Sequence, residues 1–337
     1  FPGHSNYTTG PTQSRFMRFR KIVTSPQSTL TNPVAGEPHF RPINLLSVNG
    51  TVANASTVQV RLINTTANPD QVYQWSGGWV ATNTVAGLFG CADTNFVVGN
   101  STCGFHGTDN MSWAKNVAGI WLAGSNRYTI EVRSAQGALL EATPFENRSF
   151  VVDADVPTPT VSNPAVAYHR LLQVAYTSAT ATDLAPGVLD FSTARFQIIR
   201  SSDSKRYAGS DFVVNTDSFV VASVEPGPTF QYSDPKMLAD TVFGDGLEYQ
   251  VEFRISDLAG NAGVSALKIF RYDKTLPTAS ISTPIALGKV SSLPVLRGTY
   301  LDPDPNGIDP PTITEPSGVN LLEISIQQLS GAVPGQY

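Results

Sequence analysis

RSFVVDADVPTPTVSNP, residues 148–164, is the stretch on which the reading of this chain turns. It runs an alternating strand into a proline junction, then a short β-branched segment closed by Ser-Asn-Pro. The same order of features stands at residues 16–33, FMRFRKIVTSPQSTLTNP, and at residues 268–284, KIFRYDKTLPTASISTP. Pro26, Pro157 and Pro277 mark equivalent points, 131 and 120 residues apart. That period is about the length of one β-sandwich domain, and an internal repeat decides architecture before local propensity does.

Two further landmarks recur inside the period. After each junction an alternating strand leads into a Tyr-containing hairpin: TVQVRLINTTANPDQVYQWSGGWV, then ARFQIIRSSDSKRYAGSDFVV, then LLEISIQQLSGAVPGQY. Late in each complete unit NRYTIEVRSAQG matches LEYQVEFRISDLAGNAG, with Tyr128 and Tyr249 standing 29 and 28 residues before the next junction proline. Val58, Val60 and Leu62 alternate with Gln59, Arg61 and Ile63, and Tyr249, Val251, Phe253 and Ile255 alternate with Gln250, Glu252 and Arg254. Period-two alternation with one apolar face is the pattern of antiparallel sheets wetted on one side. Tyr128 and Tyr249 are expected to plug the space between sheets, each hydroxyl reaching backbone at a corner. DLAGNAG reads as a tight turn in which Asp and Asn bond locally and Gly takes positive φ.

This constellation resembles the bacterial Ig-like domains found in long arrays in giant secreted or surface proteins. The resemblance rests on the V-x-V-R strand, the hairpin VYQWSGGWV, Trp113, the strand Tyr128 to Arg133, the turn Asp257 to Asn261 and the junction Asp273 to Pro277. It covers nearly the whole chain and implies fold rather than function, because these are core and turn residues. The second unit departs from the pattern with Phe212 and Phe230 in the places of Trp, and the first ends its strand in SAQGALLE where the Asp turn is expected. The expected fold is therefore all-β, with tandem immunoglobulin-like antiparallel β-sandwich domains in an elongated array. Residues 1–23 are read as the tail of a preceding domain, 24–154 and 155–274 as complete domains, and 275–337 as the first part of another. A part-sandwich leaves open edges and an exposed core face, so further chain or a neighbouring subunit is expected to complete it.

Composition agrees. Gly (27) and Pro (24) scattered among Val, Ile, Thr, Phe and Tyr suit many short strands joined by turns. Only 15% of residues are charged, so Ser, Thr, Asn, Gln and Gly must build the surface. A net charge of −5 opposes binding to nucleic acid, which needs a concentrated Lys/Arg face. The one basic cluster, Arg15, Arg18, Arg20 and Lys21, reads as a solvated strand face. No apolar run is long enough to span a membrane as a helix.

Catalytic signatures fail in turn: there is no G-x-S-x-G, no H-E-x-x-H, no phosphate-binding Gly loop and no paired metal-ligand His. S-x-x-K occurs at Ser112/Lys115, Ser202/Lys205 and Ser265/Lys268, three unrelated places, and so carries no meaning. No enzyme activity is expected.

Candidate sites lie in the insertions, because loops on a fixed scaffold carry most binding function. Cys91 and Cys103 are expected to close a disulfide across the Gly/Asn/Thr-rich stretch CADTNFVVGNSTC, in an insertion between Trp79 and Trp113 that also holds His106. Trp75 and Trp79 on the hairpin have two readings, stacking on sugars or packing into the core. Asp302, Asp304, Asn306 and Gly307 reproduce the first half of a Ca²⁺-type loop, with Asp309 a further candidate ligand, but the position of the closing bidentate Glu holds Ile313 and a stiff Pro-rich loop is the competing reading. The junction acids Asp153, Asp155 and Asp273 have a Ca²⁺ reading as well, with plain turn chemistry as the competing one. No other cofactor is expected.

The expected function is a structural or adhesive extracellular protein, part of a long surface stalk or filament of Ig-like repeats. Its partners would be other copies of itself, surface proteins or glycans. The alternative is a carbohydrate-binding or spacer region of a large secreted enzyme.

Overall fold

The computed structural model describes residues 24–75, 78–81, 90–91, 111–165, 168–169, 176–214, 216–227, 229–286, 288, 291–302 and 321–327. The basic cluster at 15–21 and the hairpin expected after Gln327 lie outside these residues.

The strands of the first sandwich are β1 (Gln27–Asn32), β2 (His39–Phe40), β3 (Ser47–Ala53), β4 (Thr57–Asn64), β5 (Gln71–Gln74), β6 (Gly78–Ala81), β7 (Gly90–Cys91), β8 (Met111–Asn116), β9 (Ser125–Gln136), β10 (Leu139–Leu140) and β11 (Glu146–Asp153). One sheet runs β1-β3-β8; the other runs β2-β11-β9-β4-β5-β6, with β7 beside β4 and β10 beside β9. Every pairing is antiparallel except β2 with β11, where Val151 stands opposite His39 and Val152 opposite Phe40 in parallel. Alternation places Val58, Val60 and Leu62 in the core, where they meet Tyr128, Ile130 and Val132. From the opposite sheet Trp113 fills the middle and donates its indole N–H to the Thr51 carbonyl at 3.3 Å.

Gly50 faces this ring. A Cβ there would stand 1.7 Å from the Thr29 carbonyl oxygen and 2.9 Å from the Trp113 ring, so the close approach of β1 to β3 requires glycine. Glu141 ties β1 to β9: its carboxylate accepts from the backbone N–H and the hydroxyl of both Ser28 and Ser134, at 2.6–2.9 Å.

The second sandwich repeats the plan with β12 (Thr158–Asn163), β13 (Tyr168–His169), β14 (Thr177–Thr182), β15 (Leu189–Arg200), β16 (Lys205–Tyr207), β17 (Phe212–Val214), β18 (Val220–Val221), β19 (Ser223–Glu225), β20 (Thr229–Tyr232), β21 (Leu247–Asp257), β22 (Ala262–Val264) and β23 (Lys268–Tyr272). Its sheets are β12-β14-β20-β19 and β13-β23-β21-β15-β16-β17, with β18 beside β15 and β22 beside β21. A single helical turn, α1 (Pro235–Leu238), follows β20; Asp234 caps it by accepting from the N–H groups of Lys236 and Met237. The core is aromatic: Phe196, Phe230, Phe253, Tyr249 and Phe270 are buried together.

Register makes the two sandwiches equivalent residue by residue. Trp113 pairs with Gly50 in the first, and Phe230 with Ala179 in the second. Likewise Tyr73 pairs with Trp79, and Tyr207 with Phe212. The Phe-for-Trp departures therefore fall at true equivalents. Both corner tyrosines reach backbone as expected: the Leu122 N–H donates to Tyr128 Oη at 3.2 Å and the Gly244 N–H to Tyr249 Oη at 2.7 Å.

A third unit opens with β24 (Thr278–Thr283) paired to β25 (Arg297–Leu301). Ile281, Tyr300 and Leu301 on this pair are exposed.

Candidate functional site

Four residues separate β11 of the first sandwich from β12 of the second, and buried polar groups of the two meet at this joint. Three carboxylates converge there. Asp153 ends β11, Asp183 directly follows β14, and Asp257 ends β21. One oxygen from each lies within 4.8 Å of the others. Asp153 and Asp257 are buried, at 0% and 2% exposure.

Local turn bonds hold each carboxylate in place. Asp153 Oδ1 accepts from the Asp155 N–H at 3.0 Å, and Asp183 Oδ1 from the Leu184 N–H at 3.0 Å. Asp257 accepts from both the backbone N–H and the side-chain amide of Asn261, each at 2.8 Å. The same amide donates to the Asp153 carbonyl at 3.1 Å, a buried hydrogen bond from one sandwich to the other. Asn261 was legible as a turn residue; its reach across the joint was not.

The second oxygens of Asp153 and Asp183 are buried without a hydrogen-bond partner. Ser125, the cross-strand neighbour of Asp153, has its buried hydroxyl close enough to influence that carboxyl but makes no hydrogen bond of normal geometry. Among the described residues none of the three acids joins an ion pair. Burial, reinforced by the charges of Asp153 and Asp257, pushes the Asp183 carboxyl up to about 6. Burial also raises Asp153, against the lowering influence of the Ser125 hydroxyl and the Asp155 N–H, and the charges of Asp257 and Asp155 add to the rise. His39 on β2 feels the Asp153 and Asp257 charges, yet burial lowers its pKa overall, so at neutral pH it supplies no counter-cation. Gly187 closes the site: a Cβ there would stand 2.6 Å from Asp153 Oδ2, 2.7 Å from Asp183 Oδ2 and 2.7 Å from the Leu184 carbonyl.

The other candidates are placed as follows. The Trp75 indole packs edge-on against Tyr73 and donates to the Val60 carbonyl at 3.2 Å, with the Lys115 ammonium 4.7 Å from its ring centre. Trp79 packs on Tyr73 and Tyr128 and donates to the Ile120 carbonyl at 2.8 Å. Both indoles are half-buried against the core, with their polar atoms committed to backbone. Cys91 contributes its backbone to β7; its side chain, Cys103 and His106 lie outside the described residues. So do Asp304, Asn306 and Asp309.

Asp302 is described, and register gives it a partner not visible in its loop. It directly follows Leu301, which pairs with Thr278 of β24; Asp183 directly follows Thr182, which pairs with Thr158 of β12. Asp273, next after β23, accepts from the Thr275 N–H as Asp153 does from that of Asp155. Asp302 and Asp273 thus occupy the places of Asp183 and Asp153 one repeat later.

No family model matches the chain, and neither does any curated protein. Solved structures similar to it include the FN1–FN3 domains of chicken CNTN1, at 12% identity over 74% of this chain and 67% of that one, with a TM-score of 0.27. A tetra-tandem repeat from the extending region of a large adhesion protein is 14% identical over 77% and 52%, with a TM-score of 0.29; the chain thus spans about half of that structure. Dpr11 IG1 bound to DIP-gamma IG+IG2 is 11% identical over 74% and 98%, with a TM-score of 0.26. The architecture defines the class: tandem Ig-like β-sandwiches, built almost wholly from antiparallel sheets.

Proposed function

We propose that this chain is a structural or adhesive extracellular protein, a stretch of a surface stalk or filament in which Ig-like sandwiches are strung end to end. The supporting observation is the joint. Successive sandwiches follow with a four-residue connection and share a buried hydrogen bond from Asn261 to the Asp153 carbonyl. A short, bonded connection restrains its neighbours and suits a load-carrying spacer better than a flexible tether. In this reading the chain performs no catalytic step. Attachment is to other copies, surface proteins or glycans through many weak contacts, so avidity sets the strength.

Two measurements test this. Antibodies to the 337-residue chain should label intact, unpermeabilised source cells or their secreted material, on thin fibres in electron micrographs. Pulling single molecules of the chain should give separate unfolding steps of about 40 nm each, the extended length of roughly 120 residues. Labelling confined to the cell interior would refute the extracellular role, and one undivided unfolding event would refute the beaded one.

A further inference from the structure

We propose that Asp153, Asp183 and Asp257 together bind one divalent cation of the calcium class, which clamps the first sandwich to the second. The inference goes beyond the structural role, since it needs only the joint and not what the chain adheres to. Ligand chemistry comes first: the donors are carboxylate oxygens, the hard ligands that Ca²⁺ takes at about 2.3–2.6 Å. Two oxygens each about 2.4 Å from one ion can stand no more than about 4.8 Å apart, and the three here satisfy that limit.

The second ground is the deficit of positive charge. A buried carboxylate is normally paired or metal-bound, because an ion stripped of water and left alone is costly. Asp153 is wholly buried, and among the described residues its Oδ2 and that of Asp183 have no hydrogen-bond partner and no Lys or Arg pairs with any of the three. Turn bonds hold Oδ1 of both Asp153 and Asp183, leaving each Oδ2 as the free donor. Such preorganisation lowers the cost of collecting ligands around an ion. Remaining coordination positions fall to water and to carbonyls such as that of Leu184, which shares the Gly187 pocket with both free oxygens.

The third ground is that the fold does not itself demand acids here. In the first sandwich the position after Ala53, which pairs with Gln27 as Thr182 pairs with Thr158, holds Asn54. Counting from the equivalent corner tyrosines, Gln136 stands eight residues after Tyr128 as Asp257 stands eight after Tyr249. Amides thus occupy the two places that carry carboxylates at the joint. Asp273 and Asp302 begin the same set at the following joint.

The test uses the full chain after chelation, with CaCl₂ titrated calorimetrically and thermal unfolding followed in CaCl₂ and in EDTA. Calcium at about 1 mM should raise the melting temperature by roughly 5 °C or more, and EDTA should reverse the rise. Asp183→Asn and Asp257→Asn should each weaken binding at least tenfold, while Glu225→Gln, at an exposed acid on β19, should leave it unchanged. A second readout separates metal binding from a merely structural role. In EDTA, Asp183→Asn should be at least as stable as the parent, because it relieves repulsion among unpaired carboxylates; in calcium it should be less stable. Heat and melting temperature indifferent to calcium would overturn the proposal. So would binding kept within twofold in both cluster variants, or an Asp183→Asn chain destabilised equally with and without calcium. Each of these results leaves the surface-labelling and pulling outcomes untouched, so the two readings fail separately.

Discussion

Replacing Tyr249 by Phe isolates the contribution of one hydroxyl to the second sandwich. The ring is wholly buried and packs on Phe212, Phe243 and Phe270. Phe keeps that packing, so no cavity opens. What disappears is the acceptor for the Gly244 N–H, a 2.7 Å bond at the corner before β21. A net hydrogen bond contributes about 0.5–1.5 kcal/mol, and a donor left dry costs about 1–3 kcal/mol. The expected loss is about 1.5 kcal/mol, or roughly 5–9 °C in a sandwich of this size. Scanning calorimetry on the full chain should show it, with the transition of the second sandwich moving and that of the first staying in place. Tyr128→Phe should do the reverse and cost less, because its bond from the Leu122 N–H is longer at 3.2 Å. A shift under about 1 °C for Tyr249→Phe, a larger shift for Tyr128→Phe, or both transitions moving together would refute this account of the corners.

Trp79→Ala should cost the first sandwich about 3 kcal/mol, since it empties the space beside Tyr73 and Tyr128; urea unfolding measures this, and an undiminished midpoint would restore the sugar-stacking reading. Asn261→Ala removes the amide shared by Asp257 and the Asp153 carbonyl; calorimetry should then show the two sandwiches melting further apart in temperature, and unchanged coupling would discount the joint. Asp203→Asn probes acid stability. The Arg200 guanidinium donates from Nε and Nη2 to the two oxygens of Asp203 and holds its carboxyl down to about 2. The unfolded chain, with its ordinary carboxylate, takes the proton first as pH falls, so this stabilisation is complete above about pH 4 and vanishes toward pH 2. The variant should therefore lose stability at neutral pH and match the parent at pH 2, as denaturant midpoints across that range will report.

Much of the fold was legible because sheets repeat with a period of two and the chain repeats with a period of one sandwich. The alternation at Val58–Ile63 and Tyr249–Ile255 read straight through to β4 and β21, since a strand with one dry face leaves little freedom in composition. The corner tyrosines were legible for a similar reason: a buried phenol must find a partner. The joint was only half legible. Asp153 and Asp273 stood out beside their prolines, but Asp183 and Asp257 each look like ordinary turn residues, and 74 residues separate them. Local patterns report local bonds, and those are real: Asp257 does bond Asn261. What brings the three acids together is the meeting of three chain segments, which no window of sequence contains. One signal was present. Asp183 and Asp302 stand 119 residues apart, and Asp153 and Asp273 stand 120 apart, so the acids repeat in pairs. Asp302 was read instead with its neighbours Asp304, Asn306 and Asp309, because a loop of alternating oxygens is the more familiar pattern.

The parallel contact of β2 with β11 bears on how a sandwich would meet a pull. A pull applied at Gln27 and Asp153 loads β1 first; once β1 has come away it acts on the short run at His39–Phe40 and on the strand Glu146–Asp153 in opposite directions. Two parallel strands drawn apart lengthwise slide, and their rungs must yield together, whereas a hairpin opened from its end surrenders them one at a time. β13 lies against β23 in the same way in the second sandwich. Each of these two sandwiches thus carries a latch that shears rather than peels, and were they strung under load the string would be as strong as its least secure latch.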